Sequence, residues 1–407
     1  MTAFPRRLIA PLALYVLSAL AAPVAAQDAP APKGLTLDRV VVLMRHGVRA
    51  PLDGEVPHGT RTAKPWPIWT TPESELTPHG AEALAAEARA DRADWVARGL
   101  LPQGCPTPGS IRIRTNSSSR TIASGEAYAK ALAPGCTVPI AHNPMGQVDP
   151  LFEPLRARAT RFDADAAVAD INRFTGGMDA LVARHRPALR LLDQVLGCGD
   201  PRGCDPAGPA RLTPSADGHG IDLTGPIRTA SGTAQVLLLQ YAEGLSPSVG
   251  GMPVDGRTLA RLGTVHAALF DVYSRSPYMA AHQSAAFGRH MIDALTAKDG
   301  AKVDMLVGHD TNVTALAALL GFDLVAPGYA TNDAAPGGAI LIERWHDAKD
   351  RAFVTVRYRT QSPDQIRAHA AAVSARAVTA RGCPTDAPCP LDRFVQLFRE
   401  RLAPLAQ

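Results

Sequence analysis

Val40-Val41-Val42-Leu43-Met44-Arg45-His46-Gly47-Val48-Arg49-Ala50-Pro51 is the stretch on which the fold turns. Its first five residues are a β-branched, apolar run bounded by polar residues, the pattern of a strand buried on both faces. Two arginines and a histidine follow at once, and such side chains are rarely hidden without partners. At the carboxyl end of a parallel strand they would stand where open α/β sheets place their ligands. Two guanidinium groups around an imidazole suit an anion, most simply phosphate. A surface loop with incidental charge is the competing reading of this stretch taken alone.

The same arrangement recurs downstream. Val303-Asp304-Met305-Leu306-Val307 predicts a strand, Gly308-His309-Asp310-Thr311-Asn312 a polar loop at its end, and Val313 to Leu320 a helix. Between the two, Ile111 to Thr115 alternates as a strand, Asn116 to Thr121 reads as a turn, and a helix runs from Thr121 to Leu132. Thr77-Pro78 is a helix-start signal for a segment from His79 to Arg98, which Gly99 ends. The long Pro-, Gly- and Thr-rich stretch from Leu52 to Thr77 is expected to be functional or tied down by its own packing. From Asp163 to Met291 helical periodicity dominates and strand signals are scarce. After Pro336-Gly337-Gly338, the runs Ala339 to Arg344 and Ala352 to Arg359 predict an antiparallel hairpin, and Leu391 to Leu402 an amphipathic helix. The expected fold is α/β: a mainly parallel-sheet domain flanked by helices, built from residues 27–160 and 276–407, with a mostly α-helical domain, 161–275, inserted between them. The active site is expected in the cleft between the two.

Residues 1–26 resemble a secretory signal: Arg6 and Arg7, an apolar stretch from Leu8 to Ala22, then Val24-Ala25-Ala26 as a small-residue cleavage site. No later stretch approaches the about 20 apolar residues of a membrane span. The expectation is an exported protein, periplasmic or secreted, with no membrane association after cleavage. The formal net charge is +4, of which Arg6 and Arg7 supply two, so a general nucleic-acid binder is disfavoured. The six cysteines of an exported chain are expected in disulfides. They fall into local pairs, Cys105 with Cys136, Cys198 with Cys204, and Cys383 with Cys389, and this pairing is the one chosen. Zinc is the alternative, but the spacing is not that of structural zinc sites.

The loops Arg45 to Pro51 and Gly308 to Asn312 together resemble the histidine acid phosphatases, and more closely their bacterial periplasmic branch of phytases and glucose-1-phosphatase. Leu76-Thr77-Pro78, Arg120-Thr121 leading to Ser124-Gly125-Glu126-Ala127, and Pro336-Gly337-Gly338 leading to Glu343-Arg344-Trp345 extend the resemblance over nearly the whole mature chain. It implies that His46 attacks phosphorus to give a phosphohistidine, and the neighbouring Arg45 and Arg49 should depress its pKa and keep it neutral in acid. Arg45, Arg49, Arg120 and His309 would hold the phosphoryl oxygens. Asp310 would be the general acid and later the base that activates water, which requires a raised pKa, an acidic optimum, or both. No metal or cofactor is called for, since the arginines supply the positive charge. The expected partners are small-molecule phosphate monoesters, and a monomer is expected.

Each assignment has a rival. Arg112 or Arg114 would compete with Arg120 for the pocket, and Asp310 would serve equally as a helix cap. Asp163-x-Asp165 is similar to an aspartyl-nucleophile motif but lies at the edge of the helical insert. Asp217, His219 and Asp222 are metal-ligand types in a Gly-rich loop, and Ser231 lacks the flanking glycines of a nucleophile elbow. The chain also departs from the family. Leu52-Asp53-Gly54 stands where the phytases carry a basic residue, which weakens the expectation of phytate preference. Leu52 is closer to glucose-1-phosphatase, whereas Gly47-Val48 and Thr311 are closer to the phytases. The further phytase disulfide, from near position 160 to the C-terminus, has no cysteines here, where Thr160 stands, and a less tethered tail is expected. The expected activity is broad acid phosphomonoesterase with some phytate hydrolysis. The alternatives are a sugar-phosphate-selective phosphatase and a non-catalytic phosphate-ester-binding protein.

Overall fold

The computed structural model describes residues 31–246 and 249–403. The signal-like segment and its cleavage site lie outside the described residues. β1 (Thr36–Arg45) is the central strand, longer at both ends than its apolar run predicted. Its alternate side chains serve two cores. Val41 and Leu43 face one, and Val40, Val42 and Met44 the other, all fully buried. That is why the run is continuously apolar and does not alternate.

α1 (Pro78–Ala97) follows the long loop. Thr77 caps it by accepting a hydrogen bond from Gly80 N at 2.8 Å, with Pro78 in the first turn. Gly80 is required here, because a Cβ at that position would stand 2.3 Å from Val48 O. The loop before it is tied down by backbone hydrogen bonds from Arg61 N to Cys204 O, Ala63 N to Leu196 O and Lys64 N to Val249 O. β2 (Ile111–Thr115) leads into α2 (Ser119–Leu132) and the short β3 (Ile140–Ala141). α2 starts two residues earlier than its periodicity predicted, so Arg120 sits in its first turn and not in the preceding loop.

The next stretch adds no strand to the central sheet. It holds α3 (Ala164–Thr175), α4 (Met178–Leu196), the hairpin β4 (Arg211–Pro214) and β5 (Ile221–Thr224), α5 (Pro226–Ala242) and α6 (Gly256–Tyr273). The hairpin was not expected. Only Ile221 and Leu223 of β5 are buried, a pattern too short to stand out among helices. Asp217 and His219 lie in its turn, where Asp217 accepts from Ser215 Oγ and His219 N. Asp163 caps α3, accepting from Ala166 N. Among the described residues, no cluster of His, Cys, Asp and Glu is arranged to hold a metal ion.

α7 (Pro277–Thr296) precedes β6 (Val303–Gly308) and α8 (Asp310–Leu320). β7 (Ala339–His346), β8 (Ala352–Thr360), α9 (Pro363–Arg367), β9 (Ser374–Val378), β10 (Cys389–Pro390) and α10 (Leu391–Leu402) complete the described chain. The described residues form one eight-stranded mixed sheet in the order β10-β8-β7-β1-β6-β2-β3, with β9 also on β8. β1, β6, β2 and β3 pair in parallel, and β7 turns the far side antiparallel. α1 and α2 cover one face, whereas α7, α8 and α10 cover the other. α10 packs Phe394, Phe398 and Leu402 into the core, so the C-terminal helix is anchored without a disulfide of its own to the Thr160 region. The three disulfides are the local pairs expected from sequence, with Cα separations of 5.7, 5.7 and 5.3 Å. No described helix is long and apolar enough to cross a membrane.

Beneath the strand ends lies a buried charge cluster. Arg359 on β8 pairs with Glu87 and, at 3.2 Å, with Asp91, and donates to Gly337 O at 3.0 Å. Gly337 N in turn donates to His46 O at 3.0 Å, so the cluster supports the first basic loop from below. Replacing Arg359 by Met leaves two buried carboxylates without their cation, and the expected cost is about 3–5 kcal/mol. Urea unfolding measures it, and a loss within the ordinary range of a surface change would remove the cluster from the stabilising core.

Candidate active site

Strand geometry brings the basic loop after β1 and the polar loop after β6 together. β1 and β6 are adjacent and parallel, with Arg45 in register with Gly308, so both chains leave the sheet at the same edge. His46 N donates to Gly308 O at 2.9 Å, and Asn116 N, just past β2, donates to Val307 O at 2.9 Å. Three neighbouring strand ends thus deliver Arg45 and His46, His309 and Asp310, and Asn116 with Arg120.

His46 is 2% exposed. Its Nδ1 lies 2.8 Å from Gly47 O, and since a carbonyl only accepts, Nδ1 carries the proton. Nε2 is therefore the basic, nucleophilic nitrogen. Burial, then Arg120, Arg45, Arg49 and His309, hold the imidazole well below the usual histidine range. The ring of His309 stands edge-on to it, with centroids 5.6 Å apart.

Arg45 lies fully buried behind the cleft. It donates to Ala334 O, and its Nη2 is 3.0 Å from Asp310 Oδ2. Arg49 is held from the opposite side by a two-pronged pair with Glu55, Nη1 to Oε2 at 2.7 Å and Nη2 to Oε1 at 2.8 Å. Arg120 donates towards His309 Nδ1 at 3.5 Å, and burial, with Arg49 next, lowers its pKa to about 10. The Nε groups of Arg45, Arg49 and Arg120 have no protein partner. Three guanidinium groups with unpartnered Nε–H groups stand around one neutral imidazole, a set of donors whose chemistry suits a tetrahedral oxyanion.

His309 is fixed through a chain of polar contacts. Its Nε2 donates to Asn116 Oδ1 at 3.0 Å, and Asn116 Nδ2 donates to Glu153 Oε2 at 3.0 Å. Burial, then Arg120, bring the His309 pKa down to about 4. The imidazole is neutral at mildly acid pH and acts as a hydrogen-bonding group.

The N-cap of α8 is His309, so Asp310 is not the cap that its place in the sequence allowed; it is the first helical residue, accepts from Thr311 N at 2.8 Å and lines the cleft. Burial pushes its carboxyl up. Arg45, His266, His309 and Arg49 outweigh that push and hold it well below the carboxylate range. The raised pKa expected for an acid is thus not what the surrounding residues impose. Arg45 at 3.0 Å is the reason.

The cleft has a volume of about 560 Å³ and is lined by His46, Arg49, Arg120, His309 and Asp310 on one side. The facing wall comes from Gln235 on α5, His266 and Phe270 on α6, and Gln283 on α7. Neither Arg112 nor Arg114 reaches it; Arg114 turns to Asp149. Glu55, Asn116, Glu153, and the buried pair of His266 with Asp333 at 2.8 Å were not singled out from sequence. Their partners are distant in the chain, except for Glu55, six residues after Arg49. α5 presses against the Glu55 turn at Gly232, where a Cβ would stand 1.9 Å from Glu55 O.

The comparisons agree with this geometry. The family model described as histidine phosphatase superfamily (branch 2) matches residues 36–172. Phytase AppA of Escherichia coli is 31% identical over 359 residues, covering 82% of this chain and 82% of that protein. A glucose-1-phosphatase of Salmonella typhimurium is 28% identical, covering 94% and 97% of the two chains. The structure of Hafnia alvei phytase in complex with tartrate superposes with a TM-score of 0.85 at 30% identity, covering 93% of this chain and all of that one. The same phytase in complex with myo-inositol hexakis sulphate gives 0.84 at 29%. With the Arg45–Arg49 and His309–Asp310 loops on adjacent strand ends, these relationships place the chain in branch 2 of the histidine phosphatase superfamily, among the histidine acid phosphatases, hydrolases of phosphoric monoesters.

Proposed function

We propose that the protein is an exported acid phosphomonoesterase of broad range, hydrolysing phytate among other esters, in which His46 Nε2 attacks the phosphorus and the alcohol departs. The observation that carries this reading is the tautomer of His46. Its Nδ1 proton is spent on Gly47 O, and the unprotonated nitrogen is left among three arginines. Arg45, Arg49 and Arg120 hold the non-bridging oxygens and take up the charge of the transition state. The Nε2–P bond forms as the P–O bond to the alcohol breaks, and Asp310 gives its proton to the departing oxygen. Water, deprotonated by the same carboxylate, then cleaves the phosphohistidine and returns both groups to their starting state.

A bound phosphate dianion shifts the Asp310 balance. It draws on the charge of Arg45 and adds negative charge beside Asp310, and both effects raise the carboxyl pKa. Export is supported by the signal-like first 26 residues and by the three disulfides. We take residues 161–275 as an inserted helical domain that forms most of the facing wall.

The test is phosphate release from p-nitrophenyl phosphate, glucose 1-phosphate and phytate between about pH 3 and about pH 8, with and without a chelator. Release that persists in acid and in chelator is expected. Depression of the His46 pKa places the acid-side fall of kcat/KM below the ordinary histidine range. Arg120→Gln removes a cation that disfavours protonated His46, so the His46 pKa rises and activity is lost at higher pH on acidification. An acid limb that stays in place in Arg120→Gln would dissociate it from His46.

A further inference from the structure

One buried hydroxyl joins the loop of His46 to the helical turn of Arg120. Ser124 lies on α2, one turn after Arg120, and is fully buried. Its Oγ donates to Arg120 O at 2.6 Å and accepts from Gly47 N at 3.1 Å. The hydroxyl proton is spent on the carbonyl, so what it offers Gly47 is a lone pair. The Gly47 N–H belongs to the same planar peptide unit as His46 O. That unit is thus held at both ends, by Ser124 Oγ at its N–H and by Gly337 N, which donates to His46 O at 3.0 Å. The next carbonyl along is Gly47 O, which accepts the Nδ1 proton of His46 at 2.8 Å. Gly47 has no side chain to restrict its own torsions, and a Cβ there would stand 2.8 Å from Leu84 Cδ1. Contacts from outside the loop therefore set where its carbonyl points.

We infer that Ser124 is a positioning residue for His46: through Gly47 it keeps the imidazole in the tautomer with Nδ1 protonated and Nε2 free to attack, and through Arg120 O it ties that loop to the turn carrying an anion-binding arginine. The inference rests on the reading of His46 Nε2 as the nucleophile and adds a residue that keeps it one. Which ring nitrogen of a histidine carries the proton is set by the hydrogen bond the other nitrogen's partner allows. Without the hydroxyl, Gly47 N–H is a buried donor with no partner, and the peptide turns to find one. Gly47 O then leaves Nδ1, and a share of the enzyme holds the ring protonated on Nε2, which has no lone pair for phosphorus. A serine that served only to pack α2 would alter stability and leave the tautomer as it is.

The experiment combines turnover of p-nitrophenyl phosphate with nitrogen NMR of protein isotopically labelled in histidine, in wild type and Ser124→Ala. The His46 signals are identified by their absence from His46→Ala. In Ser124→Ala, kcat is expected to fall by about 10- to 100-fold, the scale on which a misplaced reacting group slows a reaction. Wild-type His46 is expected to be protonated on Nδ1 alone at neutral pH, and the variant to show both tautomers. Ser124→Cys, whose sulfur is a weak acceptor, carries the same expectation and replaces the alanine variant if that one does not fold. An unchanged kcat, or a lowered kcat with His46 still protonated on Nδ1 alone, overturns the inference and leaves Ser124 a packing residue of α2. Wild-type turnover in His46→Ala would instead sink the nucleophile reading itself, a result distinct from either outcome in Ser124→Ala.

Discussion

His46→Ala is expected to lower kcat by on the order of 10⁴- to 10⁶-fold, the range seen when a nucleophile that works with its neighbours as a unit is deleted. Guanidinium groups such as those of Arg45, Arg49 and Arg120 can stabilise charge on a phosphoryl group, but they cannot form a bond to phosphorus. His309, edge-on to His46 at 5.6 Å between centroids, has its Nε2 proton committed to Asn116 and its Nδ1 directed at Arg120, so it cannot substitute. The variant should keep its fold. His46 sits in a loop held by backbone hydrogen bonds to Gly308 and Gly337, which the substitution leaves in place. Circular dichroism and a thermal melt check this alongside turnover. Near wild-type kcat in a folded variant would remove His46 from the chemistry.

Asp310→Ala should show a loss that depends on the leaving group. For alkyl esters such as glucose 1-phosphate, where the departing alkoxide needs a proton, the expected loss is about 10²- to 10⁴-fold. For p-nitrophenyl phosphate, whose phenolate departs unaided, loss in the first step should be much smaller. The second step is the same for both substrates, so single-turnover measurements on the phosphorylation step are the sharper comparison. Asp310 is also the ion-pair partner of Arg45 and accepts from Thr311 N. Asp310→Asn keeps those atoms nearly in place while removing the transferable proton, and it should reproduce the leaving-group dependence. Equal losses for both esters in both variants would reduce Asp310 to a positioning residue for Arg45.

The elements that build the site were readable because each is a local pattern. The apolar runs ending in Arg45 and before Gly308 are strands buried on both faces, and the charged residues that follow stand out against them. The partners of those residues were not readable. Glu55 lies in an irregular stretch with no periodicity to orient it, and only the folded turn brings its carboxylate onto the Arg49 fork. Asn116 meets His309 from 193 residues away in the chain, and Glu153 holds Asn116 in turn. The start of α2 was hidden by its run of serines, residues that suit turns and helix starts equally, and this moved Arg120 from a loop to a helical first turn. The Asp310 pKa depends on the distance to Arg45, and a motif carries no distances.

The central claim, a covalent intermediate on His46, is tested most directly by trapping it. Enzyme mixed with excess substrate is quenched in alkali, where phosphohistidine survives, and digested for mass spectrometry. The account predicts a phosphoryl group on His46, absent from His46→Ala and enriched where water attack is slowed, as in Asp310→Ala with p-nitrophenyl phosphate. Phosphate on any other residue, or active enzyme that never carries phosphate during turnover, would contradict it.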